Sequence, residues 1–223
     1  MADEAYMSAY ASFREALEQM DKPRCVQLAL YQLETKAMGI VELYTQVLAP
    51  ALNSMTQDES ALPVAVWREH IRSAIIRTII ECCYPYLLEE MTTNNLKLDR
   101  GTVVIVSPTD EYHDLGARMG SDFFNLCSYR TLFVGANTPK SNMIHGLEIE
   151  HPDYVVINAV NYYNVFKVKA IVAEIRSVLP DQRILVSGYA FRQDKDLYKT
   201  VGAVGVISTI DDIRALEQVG GKS

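Results

Sequence analysis

The apolar residues of this 223-residue chain change their spacing near residue 100, and this change constrains the fold more than any other feature. Up to about residue 93 they recur three and four positions apart, which is typical of amphipathic helices. Beyond residue 101 they form short β-branched runs separated by amphipathic stretches, which predicts strands alternating with helices. The sequence therefore predicts a helical domain at 1–93, a polar linker at 94–101 and an α/β domain at 102–223.

The first 93 residues contain four predicted helices with short connections. Lys22-Pro23 favours a helix start directly after Asp21, and Gly39 favours a helix end. The fourth helix is predicted to run unbroken over residues 63–91. Four helices joined in this way indicate a small up-and-down bundle.

The second half of the chain predicts a doubly wound, flavodoxin-like parallel sheet with helices on both faces. Ligands of such sheets bind at the carboxyl ends of the strands, near the point where the strand order reverses. We therefore expect functional residues just after Val106, Ile157 and Val186. The five predicted strands are Val103–Val106, Thr131–Val134, Tyr154–Ile157, Ile184–Val186 and Val204–Ile207. The predicted helices between them are Leu115–Ser128, Lys140–Glu150, Val165–Leu179 and Asp194–Thr200.

Charge and composition exclude several classes of protein. A net charge of −7 and a pI near 5.1 argue against direct binding to nucleic acid, because phosphate neutralisation needs a basic face. No apolar run approaches the roughly 20 residues of a membrane span, and the N-terminal residues lack a signal-peptide pattern. The four cysteines form no CxxC motif, and the adjacent Cys82 and Cys83 fit reduced core positions of a helix. We expect a cytoplasmic protein.

The loop after the first predicted strand, Ser107 to Gly116, carries a histidine beside a carboxylate. It contains a single glycine, so it is not a phosphate-cradling loop, and it is not the acidic pocket of a response regulator. His113 follows Glu111 by two residues. A neutral imidazole is a good ligand for a borderline transition metal, and a neighbouring carboxylate can orient it. The other interpretation is that His113 is an ordinary polar loop residue.

The spacing of three segments resembles that of cobalamin-binding Rossmann-like domains, whose pattern is D/E-x-H-x-x-G, then S-x-L/T, then G-G. Glu111-x-His113-x-x-Gly116 matches the first element. After 41 further residues, Asn158–Val160 stands where S-x-L is expected. Another 26 residues lead to Ser187-Gly188, where the glycine pair is expected. All three segments fall at the ends of predicted strands.

This resemblance implies a role for each matched residue. His113 becomes the lower axial ligand of the cobalt, and Glu111 becomes the carboxylate that orients it, with Asp114 as the alternative. Gly116 belongs to the same binding loop. Three positions depart from the family pattern, since Asn, Val and Ser stand where it has Ser, Leu and Gly. By resemblance the slot for the nucleotide tail of the cofactor is lined by Asn158, Val160, Ser187 and Gly188.

The N-terminal helices resemble the four-helix cap that precedes the cobalamin domain in methionine synthase, corrinoid methyl carriers and light-sensing MerR-type regulators. Val66, Glu69 and His70 share one helical stripe, and the resemblance implies that they contact the upper face of the corrin. The other interpretation is a solvated patch. The regulators also carry a Trp and a His where this chain has Glu59 and Ser60. The resemblance therefore does not imply that this chain has their light-driven switch.

Two functions follow, each with adenosyl- or methylcobalamin as the cofactor. The first is a sensor that acts through a protein partner or a homo-oligomer, because the chain has no helix-turn-helix and no basic stripe for DNA. The second is a corrinoid methyl carrier that serves separate methyltransferases. Fold analogy does not separate these two. A flavodoxin-like domain without a cofactor is the third alternative.

Overall fold

The computed structural model describes residues 2–58, 64–192, 194 and 196–217. The chain divides into two compact units, Met1–Asn94 and Asn95–Ser223. Within the described ranges, no helix is long and apolar enough to span a bilayer. None of the four cysteines forms a disulfide, and of the adjacent pair Cys83 is buried whereas Cys82 is half-buried.

The first unit is helical, as predicted. Its core contains the predicted apolar stripes, with Phe13, Leu17 and Leu43 all nearly inaccessible to solvent. One of its helices contains a π turn and is continuous over residues 40–58. The helical segments are α1 (Ala2–Glu18), α2 (Lys22–Glu34), α3 (Ile40–Glu42), the π turn (Leu43–Leu48), α4 (Ala49–Asp58), α5 (Ala65–Cys82) and α6 (Tyr84–Thr93).

Two predicted helix boundaries in this unit are wrong. The fourth helix is not continuous, because Pro85 cannot donate to the carbonyl of Glu81 and its ring would clash with that carbonyl. The chain instead ends α5 at Cys82 and starts α6 at Tyr84, where a proline in the first turn costs no hydrogen bond. Gly39 does not end α2, which stops at Glu34, but precedes α3 as its N-cap. Pro63 lies outside the described residues.

The second unit is a five-stranded parallel sheet, which confirms the predicted α/β class. The strands are β1 (Thr102–Pro108), β2 (Arg130–Thr138), β3 (Tyr154–Asn158), β4 (Arg183–Ser187) and β5 (Gly205–Ile207). Their order in the sheet is β2-β1-β3-β4-β5, which is the flavodoxin-like order and reverses between β1 and β3. The α-helices are α7 (Leu115–Leu126), α8 (Lys140–Glu150), α9 (Val165–Val178), α10 (Leu197–Val201) and α11 (Ile210–Arg214).

The two central strands form the core of the sheet. Residues 103–108 of β1 and the whole of β3 are buried, as expected for parallel strands covered on both faces. Short 3₁₀ turns follow β3 at Tyr162–Asn164 and β4 at Tyr189–Phe191. Because the strands are parallel, the loops after β1, β3 and β4 lie at the same edge of the sheet. The strand order reverses at this part of the sheet, between β1 and β3.

Candidate functional site

The three segments singled out by their spacing come from adjacent strands. Val106 pairs with Ile157 across β1 and β3, and Asn158 pairs with Ser187 across β3 and β4. Their loops therefore lie side by side at the carboxyl edge of the sheet, as predicted. The folding of a parallel sheet brings together residues that are about 45 and 75 positions apart along the chain.

One oxygen of Glu111 holds His113. Glu111 Oε1 lies 2.8 Å from the ring nitrogen Nδ1 of His113. It accepts a second hydrogen bond, of 3.2 Å, from the backbone N–H of His113. These two bonds fix both the backbone and the ring of His113. With Nδ1 as the donor to the carboxylate, the other ring nitrogen, Nε2, carries the lone pair.

The other oxygen of Glu111 is held by the connection between β3 and α9. Oε2 accepts hydrogen bonds from the backbone N–H of Val160 (2.9 Å), the backbone N–H of Asn161 (3.0 Å) and the amide of Asn164 (3.0 Å). The carboxyl is completely buried. Burial by itself raises its pKa, but the bonds from His113, Asn161, Asn164 and Val160 together lower the pKa to about 2. Glu111 is therefore a buried carboxylate that stays ionised at neutral pH.

The imidazole of His113 is accessible although its partner is buried. Its side chain is 55% exposed, whereas that of Glu111 is inaccessible. A carboxylate on one ring nitrogen sets the orientation of the ring and raises the basicity of the other nitrogen. The arrangement can donate one nitrogen ligand to a metal that approaches from solvent.

Hydrogen bonds from neighbouring elements also hold the loop that carries His113. Asn137 of β2 accepts from the backbone of Asp110 at 3.0 Å and donates its own backbone N–H to the carbonyl of Glu111. From α9, Lys167 contacts the carboxylate of Asp110 at 2.7 Å. The loop is thus attached to the elements on both of its sides.

Asn158 is placed beneath the loop rather than at its surface. Its amide donates to the hydroxyl of Ser107 at 3.1 Å and to the carbonyl of His113 at 3.0 Å. The side chain is 2% exposed. Asn158 therefore connects the end of β1 to the backbone of the histidine.

Gly188 packs directly against β3. Its φ of +99° favours glycine, and a Cβ at this position would lie 2.3 Å from the carbonyl oxygen of Ala159 and 2.8 Å from Oδ1 of Asn158. Ser187, the residue in place of the first family glycine, is half-buried, and its hydroxyl lies 3.5 Å from Oδ1 of Asn158. The second glycine of the pattern is thus required by the backbone packing.

Two other predicted residues lie in the first turn of α7. Asp114 is the N-cap residue and is buried, with its carboxylate directed toward Gly135 of β2. Gly116 is exposed, and a Cβ added to it would meet nothing within 4 Å. Val160 is half-buried, and its described bond to the site is made by its backbone.

The predicted cap residues lie at the start of α5. Val66 and His70 are exposed and Glu69 is half-buried. Trp67 is 72% exposed, so it is not a core residue of the bundle. Glu59 and Ser60 lie outside the described residues. The two remaining histidines, at 145 and 151, are exposed on and after α8.

Sequence reasoning missed the donors that hold Glu111. Asn161 could have been found, because an Asn just after a strand is a frequent cap, and its side chain accepts from the N–H of Tyr163. Asn164 follows no motif spacing. Its contact with Glu111 joins residues 53 positions apart and depends on the 3₁₀ turn between β3 and α9.

The fold, unlike the sequence, has clear counterparts. No protein-family model matches the chain, and no curated protein matches it. The solved structure of the monomethylamine corrinoid protein of Methanosarcina barkeri superimposes with a TM-score of 0.79 at 11% identity, over 93% of this chain and 96% of that chain. The chain has the fold of a corrinoid protein. The likeness spans the helical unit and the sheet unit alike, as the sequence predicts.

Two further solved structures match this chain with lower scores. A novel cobalamin-binding protein from Desulfitobacterium hafniense has a TM-score of 0.49 at 14% identity, over 92% of this chain and 95% of that chain. The methanol:cobalamin methyltransferase complex of Methanosarcina barkeri has a TM-score of 0.48 at 13% identity, over 93% of this chain and 77% of that chain.

Proposed function

We propose that this protein binds a corrinoid, with the imidazole of His113 as the lower axial ligand of the cobalt. The observation that carries the proposal is the half-exposed imidazole at the strand-order reversal, oriented through Nδ1 by the buried carboxylate of Glu111. A single imidazole supplies one ligand, which would suit a cobalt whose other ligands come from a corrin. The corrinoid-protein fold of the whole chain supports the same conclusion.

The residues around His113 fit such a cofactor. Gly116, in the first turn of α7, presents no side chain and faces open space, so a large planar group can approach the loop there. Ser187, Gly188 and Val160 are half-buried at the neighbouring strand ends and are the proposed contacts for the nucleotide tail. The amide of Asn158 donates both of its hydrogen bonds to Ser107 and to the carbonyl of His113. We therefore propose that Asn158 holds the loop that carries His113.

A bound corrinoid would supply organometallic chemistry at its cobalt, while the protein supplies ligation, burial and access. His113 would bind the metal, and Glu111 keeps the ring in one tautomer and one orientation. Asn158 and Asn137 hold the backbone of the loop through its carbonyl at 113 and its backbone groups at 110 and 111. Val66, Glu69 and His70 are proposed to contact the upper face of the cofactor.

Reconstitution with cobalamin tests the proposal. The purified protein, mixed with excess methylcobalamin and then freed of unbound cofactor, should retain it and show the absorption spectrum of a corrinoid whose benzimidazole has been replaced by histidine. The matched measurement is the same cofactor in buffer. Protein that stays colourless, or that retains cobalamin with its benzimidazole still on the cobalt, would contradict the proposal.

Each of the two roles has one observation in its favour, and for that of a corrinoid carrier for a partner enzyme it is a shared fold. The likeness to the monomethylamine corrinoid protein covers 96% of that chain, so both proteins have the same two-part architecture. The sensor role is supported by a different observation, the exposed Val66, Trp67 and His70 at the start of α5. Either role requires a protein partner or a second copy of the chain.

Illumination separates the two roles. Samples loaded with adenosylcobalamin and with methylcobalamin are kept in the dark or exposed to light, and their molecular mass in solution is measured. The carrier role predicts the same mass in all four samples. A change of oligomeric state that depends on light would instead favour the sensor role and contradict the carrier role.

A further inference from the structure

Glu111 orients His113 only if Glu111 is itself held in place. Its oxygen Oε1 accepts the hydrogen bond from the ring of His113. The orientation of the carboxylate therefore depends on the contacts of its other oxygen, Oε2. Two of the donors to Oε2 are backbone N–H groups, of Val160 and Asn161. Within the described part of the chain, the one side-chain donor to Oε2 is the amide of Asn164, at 3.0 Å. This amide is the part of the support that a side-chain substitution can remove.

Asn164 is placed to hold the carboxylate of Glu111 rather than to cap a helix. The residue is the N-cap of α9, yet its side chain makes no capping bond to that helix. It is 4% exposed, and its backbone is fixed by the 3₁₀ turn through a 2.9 Å bond to the carbonyl of Asn161. A buried amide must find a hydrogen-bond partner, and the carboxylate of Glu111 provides a charged one.

We propose that Asn164 is a positioning residue for the cobalt ligand, acting through Glu111 to fix the tautomer and direction of the His113 ring. Asn158 at the end of β3 and Asn164 at the N-cap of α9 then have separate tasks. Asn158 holds the backbone carbonyl of His113, and Asn164 holds the carboxylate that holds its ring. This inference rests on the proposed corrinoid function, but the arrangement of the ring can be measured without a cofactor.

The test compares Asn164→Ala with Asn161→Ala. The second variant is the matched control, because it removes a side chain from the same turn while keeping the backbone N–H that contacts Glu111. In the cofactor-free proteins, nitrogen NMR of the histidine rings, assigned with His113→Gln, reports the tautomer of His113. Asn164→Ala should give a mixture of tautomers at His113, whereas wild type and Asn161→Ala should keep the proton on Nδ1.

The loaded proteins provide a second readout. Loss of a partner that orients a metal ligand weakens metal binding by about 10- to 100-fold, and we expect Asn164→Ala to weaken cobalamin binding about tenfold. If this variant does not fold by circular dichroism, Asn164→Ser replaces it, since serine is an accepted N-cap residue with no amide to reach Glu111.

An unchanged tautomer and affinity in Asn164→Ala would overturn the inference, and so would equal changes in both variants, because the turn rather than the amide would then be responsible. If wild type binds no cobalamin, the proposed function fails on its own. The NMR comparison still decides whether Asn164 positions the ring.

Discussion

Replacement of His113 by alanine is expected to weaken cobalamin binding about 100-fold or more, because loss of the ligand should exceed the 10- to 100-fold effect of losing a residue that merely orients it. Any cobalamin that still binds should lose the spectrum of the histidine-ligated form. Folding should change little, since the side chain is 55% exposed and the backbone N–H of residue 113 still reaches Glu111. The measurements are equilibrium titration, the absorption spectrum of the complex, and thermal unfolding of the unloaded protein.

His145→Ala is the matched control for this variant. It removes another imidazole, which is 76% exposed on α8 and lies beside Glu148 rather than in the three loops of the site. It should bind cobalamin like the wild type. Addition of millimolar imidazole to His113→Gly should restore part of the histidine-type spectrum, since the added ring can occupy the vacated position beside Glu111. If His113→Ala and wild type gave identical spectra, another group would have to be the ligand.

Gly188→Ala is expected to destabilise the sheet unit by about 3–5 kcal/mol, in the range of the most damaging single substitutions. The added methyl would lie 2.3 Å from the carbonyl oxygen of Ala159, a backbone atom that cannot turn away. The φ of +99° adds strain for any residue with a Cβ. The measurement is chemical denaturation followed by circular dichroism, and cobalamin binding should fall with the folded fraction.

A helical glycine provides the comparison for this substitution. A Cβ on Gly146, within α8, would meet nothing within 4 Å, so Gly146→Ala should stabilise the protein by about 0.5–1 kcal/mol through helix propensity. The two variants make the same chemical change with opposite expected signs. Wild-type stability in Gly188→Ala would mean that the backbone of β3 and β4 can separate at this point without cost.

The strands and the site could be predicted because their signals are local or periodic. Parallel strands buried on both faces read as short apolar runs, and the order of such runs places the ends of β1, β3 and β4 at one edge. The pairing of Glu111 with His113 is also local, since the two residues are two positions apart along the chain. The sequence is therefore sufficient to indicate the loop and the histidine in it.

The break between α5 and α6 could not be read from apolar periodicity. Ile76, Ile80, Cys83 and Leu87 are all buried, so the apolar stripe continues across the break. Pro85 was the only local signal against a continuous helix, and it prevailed because a missing donor and a ring clash outweigh a favourable stripe.

The support of Glu111 could not be predicted for a different reason. Asn164 and the backbone groups at 160 and 161 reach Glu111 only through the tertiary fold, across about 50 residues. Hydrogen bonds of this kind leave no period in a sequence. The spacing pattern likewise pointed to Asn158 as a contact for the cofactor tail, whereas its bonds to Ser107 and His113 are internal.

The bonds that hold the histidine loop join protein groups to one another, at Asn137, Asn158, Asn164 and Lys167. The entropy of ordering this loop is therefore lost when the chain folds and need not be lost again at each encounter with a ligand. Association should then proceed with a small conformational penalty, and repeated capture and discharge of cofactor should leave the loop unchanged. Heating that melts the sheet should release any captured corrinoid in the same cooperative step.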